Sequence, residues 1–283
     1  MQKEIVGLTT FHGSEPGKTV AIMAGVHGDE PCGLRALEAL AKDLIVKRGT
    51  VHFLIGNPEA IKLNRRQFEW NLNRAFRPDI VENSLTSYQR KSYERKRALE
   101  IMEVLKECDA LLDIHSSMSI ESTPFIICEK SAFPIARRLP FSILSFGWDE
   151  IEPGGTDYFM SAHGKIGICI ECGCHLDSSA PAIAEKSART FLTLMGSIDG
   201  DIPPVTKKRL IDAYRVYHPS GDFVPAKEFA DFAPLSTGEL IGMDGRIPIY
   251  AGKDEVIIFC RKCNKPDDEA FILGREIFGY LRD

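Results

Sequence analysis

The sequence predicts an α/β protein with a mostly parallel mixed β-sheet, helices on both faces, and a small β-rich C-terminal domain. Up to about residue 200, short apolar runs typical of buried strands alternate with segments whose apolar residues recur at helical spacing. Such alternation is typical of a parallel sheet covered on both faces. After residue 204 short runs are broken by Gly, Pro and Asp, with almost no helical period. We therefore expect an α/β domain at residues 1–200 and a β-rich domain at 201–283.

The first unit of this pattern is a strand, a turn and a helix. Residues 19–26 form a continuous apolar run, which predicts a buried strand. Residues 31–44 carry leucines at helical spacing, and they begin with Pro31, a residue favoured in the first helical turn. A second strand is predicted at 51–55.

A long polar segment at residues 64–84 shows little periodicity. A loop of this length is uncommon unless it builds a site. The next helix is predicted from Thr86, which forms a capping-box pattern with Gln89, to about residue 107. Its apolar face is marked by Leu99, Met102 and Leu105. The remaining predicted elements are strands at 110–114, 123–128 and 166–171 and a helix at 180–196.

Composition and charge exclude several classes of protein. The formal net charge is −5, so nucleic acid and anionic membranes are not attracted globally, and a small-molecule partner is expected. The basic run at 90–97 is better explained as a solvated helix face than as a nucleic-acid site. Apolar runs fall short of the roughly 18 to 20 residues of a membrane span, and the N-terminus lacks a secretion signal. We expect a cytoplasmic protein, and a homo-oligomer is compatible with the sequence.

Three candidate metal ligands lie at predicted strand ends. His27 and Glu30 follow the first buried strand, and His115 ends the strand predicted at 110–114. Ligands bind at the carboxyl edge of such sheets. Two imidazoles and one carboxylate leave a fourth tetrahedral position open, which is typical of catalytic zinc. On its own, the short His27 to Glu30 spacing is more often a surface pair than a metal site.

Four segments together resemble the succinylglutamate desuccinylase and aspartoacylase family, a branch of the zinc carboxypeptidase superfamily. The segments are Gly25-Val26-His27-Gly28-Asp29-Glu30; Arg66 with Asn71-Leu72-Asn73-Arg74-Ala75-Phe76; Asp113-Ile114-His115-Ser116; and Gly167-Ile168-Cys169-Ile170-Glu171-Cys172-Gly173. The resemblance implies a carboxypeptidase-like fold and one zinc ion per chain. It also implies the zinc ligands His27, Glu30 and His115, with Glu171 as the catalytic carboxylate.

The same resemblance assigns substrate contacts to the polar segment. Arg66, Asn73 and Arg74 would hold the substrate carboxylate and the carbonyl oxygen, work suited to guanidinium and amide groups. Apolar surroundings should raise the pKa of Glu171 toward the range useful to a general base. Asp113 is a candidate to orient the His115 imidazole, and a buried structural role is the alternative.

Three departures from the family bear on the substrate. Asn71 stands where members usually carry Asp, and Ser161 stands where acetylaspartate enzymes carry an arginine. The tyrosine that those enzymes carry before a Glu-Ala-Phe string is also missing before Glu269. The expected clamp for a second acidic group is therefore absent. His163 or Lys165 are candidate substitutes, and Trp148-Asp149-Glu150 is a candidate specificity loop.

The sequence therefore predicts a zinc-dependent amidohydrolase that deacylates an N-acyl amino acid or a small carboxylate-bearing linear amide. The alternatives are a carboxypeptidase acting on short peptides, including cell-wall peptides, and a degenerate member that binds metal and ligand without turnover. A further alternative is a structural zinc or redox site. It would use two cysteine pairs, Cys172 with Cys174 and Cys260 with Cys263, although eight cysteines without a secretion signal favour reduced thiols.

Overall fold

The computed structural model describes residues 5–77, 85–265 and 268–277. Its strands are β1 (Leu8–His12), β2 (Glu15–Ala24), β3 (Arg48–Ile55), β4 (Ala110–Ser117), β5 (Phe125–Ile127), β6 (Ile143–Phe146), β7 (Ile166–Cys174), β8 (Arg209–Tyr217), β9 (Phe223–Pro225), β10 (Ala233–Leu235), β11 (Leu240–Asp244), β12 (Ile247–Tyr250), β13 (Glu255–Ile258) and β14 (Phe271–Glu276). The helices are α1 (Pro31–Ala41), α2 (Pro58–Lys62), α3 (Ser87–Lys91), α4 (Tyr93–Leu105), α5 (Phe133–Ala136), α6 (Trp148–Ile151), α7 (Thr156–Ala162) and α8 (Ala180–Met195). Within these described residues, no helix is long and apolar enough to cross a membrane.

Eleven strands form one sheet in the order β1-β3-β2-β4-β7-β5-β6-β8-β14-β13-β10. The strands β3, β2, β4 and β7 run parallel to one another, as do β5, β6 and β8. The strands after β8 pair antiparallel with their neighbours. The prediction of a mixed α/β fold with a large, mostly parallel sheet and C-terminal antiparallel strands is confirmed.

Both faces of the parallel strands are covered, as predicted. Alternate residues of β2 point to opposite sides: Ile22 packs in a core formed with α1 and α8, and Met23 packs in a second core formed with α4 and α7. Both side chains are fully buried. The near-continuous apolar character of β2, β4 and β7 follows from this double coverage.

The sheet does not end at the predicted domain boundary. After residue 200, β8 pairs parallel with β6 and antiparallel with β14, so the large sheet continues into the C-terminal part of the chain. A separate three-stranded sheet, β12-β11-β9, lies beyond it. The described residues after 200 are β-rich, as expected, and the boundary itself remains a prediction.

The helix predicted between residues 86 and 107 is divided at Ser92. The predicted capping box is present, with Thr86 and Gln89 bonding reciprocally at the start of α3. Ser92 then leaves helical geometry and caps α4 by accepting a hydrogen bond from the Arg95 backbone N–H. Assigning Leu99 to the apolar face was wrong, because its side chain is 47% exposed. Because the helix restarts after Ser92 and α4 packs on the sheet, Ile101 rather than Leu99 lies in the core.

The polar segment predicted at 64–84 is organised in its described part by a buried carboxylate. Glu94, at the start of α4, accepts backbone hydrogen bonds from Phe68 at 2.7 Å, Glu69 at 3.1 Å and Trp70 at 3.0 Å. The Asn57 side-chain amide donates to the same carboxylate at 3.0 Å. The Glu94 side chain is fully buried, so these donors replace its hydration. Residues 78–84 of the predicted segment lie outside the described residues.

Replacing Glu94 by Gln should loosen this segment. The amide would present N–H groups to backbone donors, and hydrogen bonds to a charged acceptor contribute roughly 1.5 to 3 kcal/mol each when they are lost. We expect Glu94→Gln to lower the free energy of unfolding by about 1 to 3 kcal/mol, measured by urea denaturation. Glu103→Gln, at a residue of α4 that is 70% exposed, is the matched control and should change it by less than about 0.5 kcal/mol. Equal effects in the two variants would contradict the anchoring role.

Candidate metal centre and substrate cavity

Two tight backbone turns place His27 and Glu30 beyond the end of β2. Gly25 has a φ of +68°, a conformation that L side chains rarely adopt. At Gly28 an added Cβ would lie 2.2 Å from the Ala60 backbone, so only glycine allows this approach of the two chain segments. Glu30 then occupies the N-cap position of α1. The turn between them brings the His27 Nδ1 to 2.7 Å from the Glu30 Oε1.

The second imidazole comes from the neighbouring parallel strand. Because β2 and β4 run parallel, their carboxyl ends meet at one edge of the sheet. The His115 Nδ1 lies 3.0 Å from the Glu30 Oε2, and the two imidazole rings are 5.1 Å apart between centroids. All three side chains are buried, with exposures between 1% and 3%. The structure therefore brings together the three metal ligands that the sequence predicts.

Each imidazole turns its other nitrogen toward an oxygen. The His27 Nε2 lies 3.1 Å from the Asn71 Oδ1, and the His115 Nε2 lies 3.2 Å from the Asp113 Oδ2. The Thr156 hydroxyl donates to that same Asp113 oxygen at 2.5 Å. The Asn71 hydrogen bond orients the His27 ring, the His115–Asp113 contact has the distance of an ion pair but not hydrogen-bond geometry, and both Nδ1 atoms face Glu30. The position of Asp113 fits its predicted orienting role.

The buried acid and the two imidazoles shift one another's pKa values. Burial alone would raise the pKa of Glu30, but the adjacent His27 and His115 outweigh it and hold the pKa well below its usual range. Burial would lower the pKa of His115, and nearby negative groups, including Asp113 and Glu30, raise it well above its usual value. The pKa of His27 is lowered, mainly by burial and then by the Arg66 charge.

The donor set fits a divalent metal ion. One nitrogen from each imidazole and one carboxylate oxygen lie within 4.8 Å of one another. Imidazole and carboxylate ligands with a further position open are the usual set for catalytic zinc. A second set in the described residues, Asp29, Glu30 and His175, meets the same distance limit. Neither set contains a cysteine.

Glu171 lies beside this group on β7. The parallel register of β4 and β7 pairs His115 with Glu171, so both side chains leave the sheet at the same edge. The Glu171 carboxylate is 8% exposed, and its Oε2 has no hydrogen-bond partner among the described residues. Burial, followed by the negative charge of Glu30, raises the pKa of Glu171 well above its usual value. The expected direction of this shift is confirmed.

A cavity of about 1130 Å³ opens over these side chains. It is lined by every site residue that the sequence predicts: His27, Glu30, Arg66, Asn73, Arg74, His115 and Glu171. The Arg66 Nη1 lies 3.5 Å from the Glu30 Oε1, which places its guanidinium next to the metal ligands. Arg74 is held by two carboxylates, Glu152 and, at 2.5 Å, Glu269.

His163 and Lys165, the candidate substitutes for the missing contacts to a second acidic group of the substrate, do not line the cavity. The His163 Nδ1 contacts the Phe159 carbonyl oxygen at 2.7 Å, and the Lys165 ammonium donates to the backbone carbonyls of residues 105 and 106. The Ser161 hydroxyl donates to Asp149. None of Ser161, His163 and Lys165 is among the described residues that line the cavity.

One wall of the cavity is acidic. Asp149 of the predicted specificity loop lines it, together with Asp157, whereas Glu150 does not. Burial raises the pKa of Asp157 to about 7, with further contributions from Asp149 and Asp113. Burial also raises the pKa of Asp149. Negative charge is therefore already costly on this wall, and a second anionic group of a substrate would add to the cost.

Sequence reasoning missed several side chains at the site. Asn71, treated only as a lost charge, contacts His27 and also accepts the Asn73 backbone N–H at 3.0 Å. Glu152 and Glu269 contact Arg74 from segments distant in the sequence. Cys260 and Cys263 lie in the cavity lining, with the exposed Arg261 between them. The departure at Asn71, where family members usually carry Asp, was the available signal for that residue. No sequence pattern pointed to Glu152 and Glu269, because they meet Arg74 only through long-range contacts.

Comparison with known proteins gives a consistent assignment. The family model described as the succinylglutamate desuccinylase/aspartoacylase catalytic domain matches residues 16–198. A probable aspartoacylase from Nostoc sp. is 25% identical over 267 residues, covering 84% of this chain and 88% of that protein. A succinylglutamate desuccinylase from Vibrio vulnificus is 23% identical over 292 residues, covering 91% and 80%.

Solved structures show the same fold. The succinylglutamate desuccinylase from Vibrio cholerae superposes with a TM-score of 0.79 at 18% identity, covering 98% of this chain and 87% of that chain. The product-bound ectoine utilization protein EutE (DoeB) from Ruegeria pomeroyi gives a TM-score of 0.72 at 21% identity, covering 95% and 88%. Since the family model spans more than half of the sequence, the chain belongs to the succinylglutamate desuccinylase/aspartoacylase family.

Proposed function

We propose that this protein is a zinc-dependent deacylase that hydrolyses the amide bond of an N-acyl amino acid or a similar small carboxylate-bearing amide. The observation that carries the proposal is the placement of Glu171. Glu171 lines the same cavity as the His27, Glu30 and His115 group and Arg66, and its Oε2 has no hydrogen-bond partner among the described residues. Family membership and the relatives' names support acyl-amino acid hydrolysis.

In this proposal His27, Glu30 and His115 hold one zinc ion. These residues would hold the zinc, which would supply a lowered pKa for the attacking water, toward about 7, and polarisation of the scissile carbonyl. Glu171 accepts a proton from the attacking water while the water oxygen bonds to the carbonyl carbon. The carbon–nitrogen bond then breaks, and Glu171 returns the proton to the leaving amine nitrogen. Burial, followed by the charge of Glu30, raises the pKa of Glu171, which favours its holding the proton between the two steps.

Arg66, Asn73 and Arg74 are assigned to substrate binding. The Arg66 guanidinium is 39% exposed and has space for a second anionic partner beside Glu30. Arg74 already faces Glu152 and Glu269, so less of its charge is available to a substrate. Arg66 is therefore assigned the larger share of carboxylate recognition.

The cavity favours a monocarboxylate with a neutral or cationic remainder. Asp149 and Asp157 oppose a second carboxylate on their wall. Three basic residues, Arg261, Lys262 and Lys265, line the cavity from the C-terminal segment, but all are exposed. Exposed charge pairs contribute little because water screens them.

Short peptides are the second candidate substrates. The cavity volume of about 1130 Å³ slightly exceeds that of ordinary ligand pockets, which run to roughly 1,000 Å³. A dipeptide with a free carboxylate could occupy it and present its amide to Glu171. The proposal is therefore tested with a panel of N-acyl amino acids and dipeptides on the zinc-loaded protein, in which preferential cleavage of dipeptides would favour the carboxypeptidase alternative.

The first prediction from the proposed function concerns the metal. His27→Ala, Glu30→Ala and His115→Ala should each release the tightly bound zinc, because each removes one of three protein ligands. Elemental analysis after exhaustive dialysis should give about one zinc per chain for the wild type. Cys260→Ala and Cys263→Ala serve as controls and should retain it. Full zinc in the His115 variant, or its loss in the cysteine variants, would overturn the ligand assignment.

The second prediction separates the base from the ligands. Glu171→Gln keeps the shape of the side chain and removes the proton acceptor. It should retain zinc and lose about 10²- to 10⁴-fold in kcat, the usual contribution of a positioned general base. Steady-state kinetics and elemental analysis of the same preparation check the loss of kcat and the retention of zinc. Wild-type turnover would refute the role of Glu171, and loss of zinc would make it a ligand.

The third prediction concerns recognition of the carboxylate. Removing one charge-assisted hydrogen bond costs roughly 1.5 to 3 kcal/mol, so Arg66→Ala or methyl esterification of the substrate should lower kcat/KM about 10- to 100-fold. Arg65→Ala is the matched control, since the adjacent Arg65 is exposed and does not line the cavity. Acetylaspartate and succinylglutamate should be poorer substrates than neutral N-acyl amino acids. More efficient hydrolysis of acetylaspartate would show that another residue binds the second carboxylate.

A further inference from the structure

A second group of potential metal ligands shares Glu30 with the first. Asp29, Glu30 and His175 each offer one ligand atom, and these atoms lie within 4.8 Å of one another. His175 follows β7, and Asp29 precedes Glu30 in the turn before α1. Asp29 and His175 are only partly buried, and neither belongs to the lining of the large cavity. Of these three ligands, only Glu30 also lines the substrate cavity.

Ser116 orients this second group. Its backbone N–H donates to the Glu30 Oε2 at 3.1 Å, and its hydroxyl lies 2.9 Å from the His175 Nδ1. One residue of β4 thus fixes both the shared carboxylate and the imidazole. The arrangement leaves the His175 Nε2 for another partner, as Asn71 and Asp113 leave the Nδ1 atoms of His27 and His115.

Asp29 carries an unpartnered oxygen. Its Oδ1 is buried and has no hydrogen-bond partner among the described residues. A buried carboxylate oxygen without a donor is costly, and a bound cation would offset that cost. With Glu30 next to it in the sequence, two carboxylates converge on a place where positive charge would be stabilised.

We propose that Asp29, Glu30 and His175 form a second, weaker site for a divalent transition-metal ion, with Glu30 as the carboxylate shared by both sites. A carboxylate can bind two ions at once because its two oxygens together offer about four lone-pair positions. The imidazole donor selects zinc-like ions over calcium, which takes oxygen ligands almost exclusively. Partial exposure of two ligands makes this the weaker site, since side chains must be ordered on binding. The proposal goes beyond the hydrolytic function and does not depend on it.

The test is the zinc stoichiometry of the intact protein, measured by elemental analysis after equilibrium dialysis at increasing free zinc. The wild type should rise from about one to about two zinc ions per chain. Asp29→Asn and His175→Gln, which change different segments, should each stay at one. Glu38→Gln is the charge-matched control, because it removes one negative charge from the exposed surface of α1 and should still reach two.

Failure of the second metal site can be distinguished from failure of the proposed hydrolytic function. A wild type that saturates at one zinc, or Asp29 and His175 variants that both reach two, would overturn the second site. Calcium at the same concentrations should not displace the second zinc, and displacement would contradict the role of the imidazole. Absence of hydrolysis by the protein loaded with one zinc would refute the proposed activity and leave the second site intact.

Discussion

The Glu30 carboxylate, only 2% exposed and lying between two buried imidazoles, sets the main constraint on this end of the sheet. Burying an unpaired carboxylate costs several kcal/mol in the low dielectric of a protein interior. His27, His115, Arg66 and the Ser116 N–H all lie against it because positive charge and donors must compensate that cost. The site is thus a consequence of where the parallel strands end, combined with the need to neutralise one buried acid.

Glu94 shows the contrasting way to bury a carboxylate. It is fully buried too, but four N–H donors from three backbone amides and the Asn57 side chain satisfy its oxygens. A carboxylate whose oxygens all receive hydrogen bonds needs no counter-ion. Glu94 therefore anchors the backbone of the segment between Arg66 and Arg74. Glu171 belongs to neither class, since its Oε2 lacks a donor and its pKa is raised. Such an oxygen is available to accept a proton.

Features of the site that depend on local sequence patterns could be predicted. Buried parallel strands have continuous apolar runs, so the ends of β2, β4 and β7, with His27, His115 and Glu171 on them, could be located from the sequence. The buried face of α4 could not be located in this way. The break at Ser92 shifts the start of the helix, and tertiary contacts leave Leu99 exposed. The Glu94 anchor and the Glu269 contact with Arg74 join residues far apart in the chain, and periodicity carries no information about such pairs.

The reaction centre and the walls that select the substrate come from different parts of the chain. The candidate metal ligands and Glu171 lie at the carboxyl edge of the sheet, whereas Asp149 lies in α6 and Glu269 lies just before β14. A change at Asp149 or Glu269 alters the charge that a substrate meets without displacing the strands that hold the ligands. Because Arg74 depends on Glu152 and Glu269 for its position, those acids tune how much of its charge is left for a carboxylate. Selectivity can therefore shift through the acids around Arg74 while the geometry for hydrolysis stays fixed by β4 and β7.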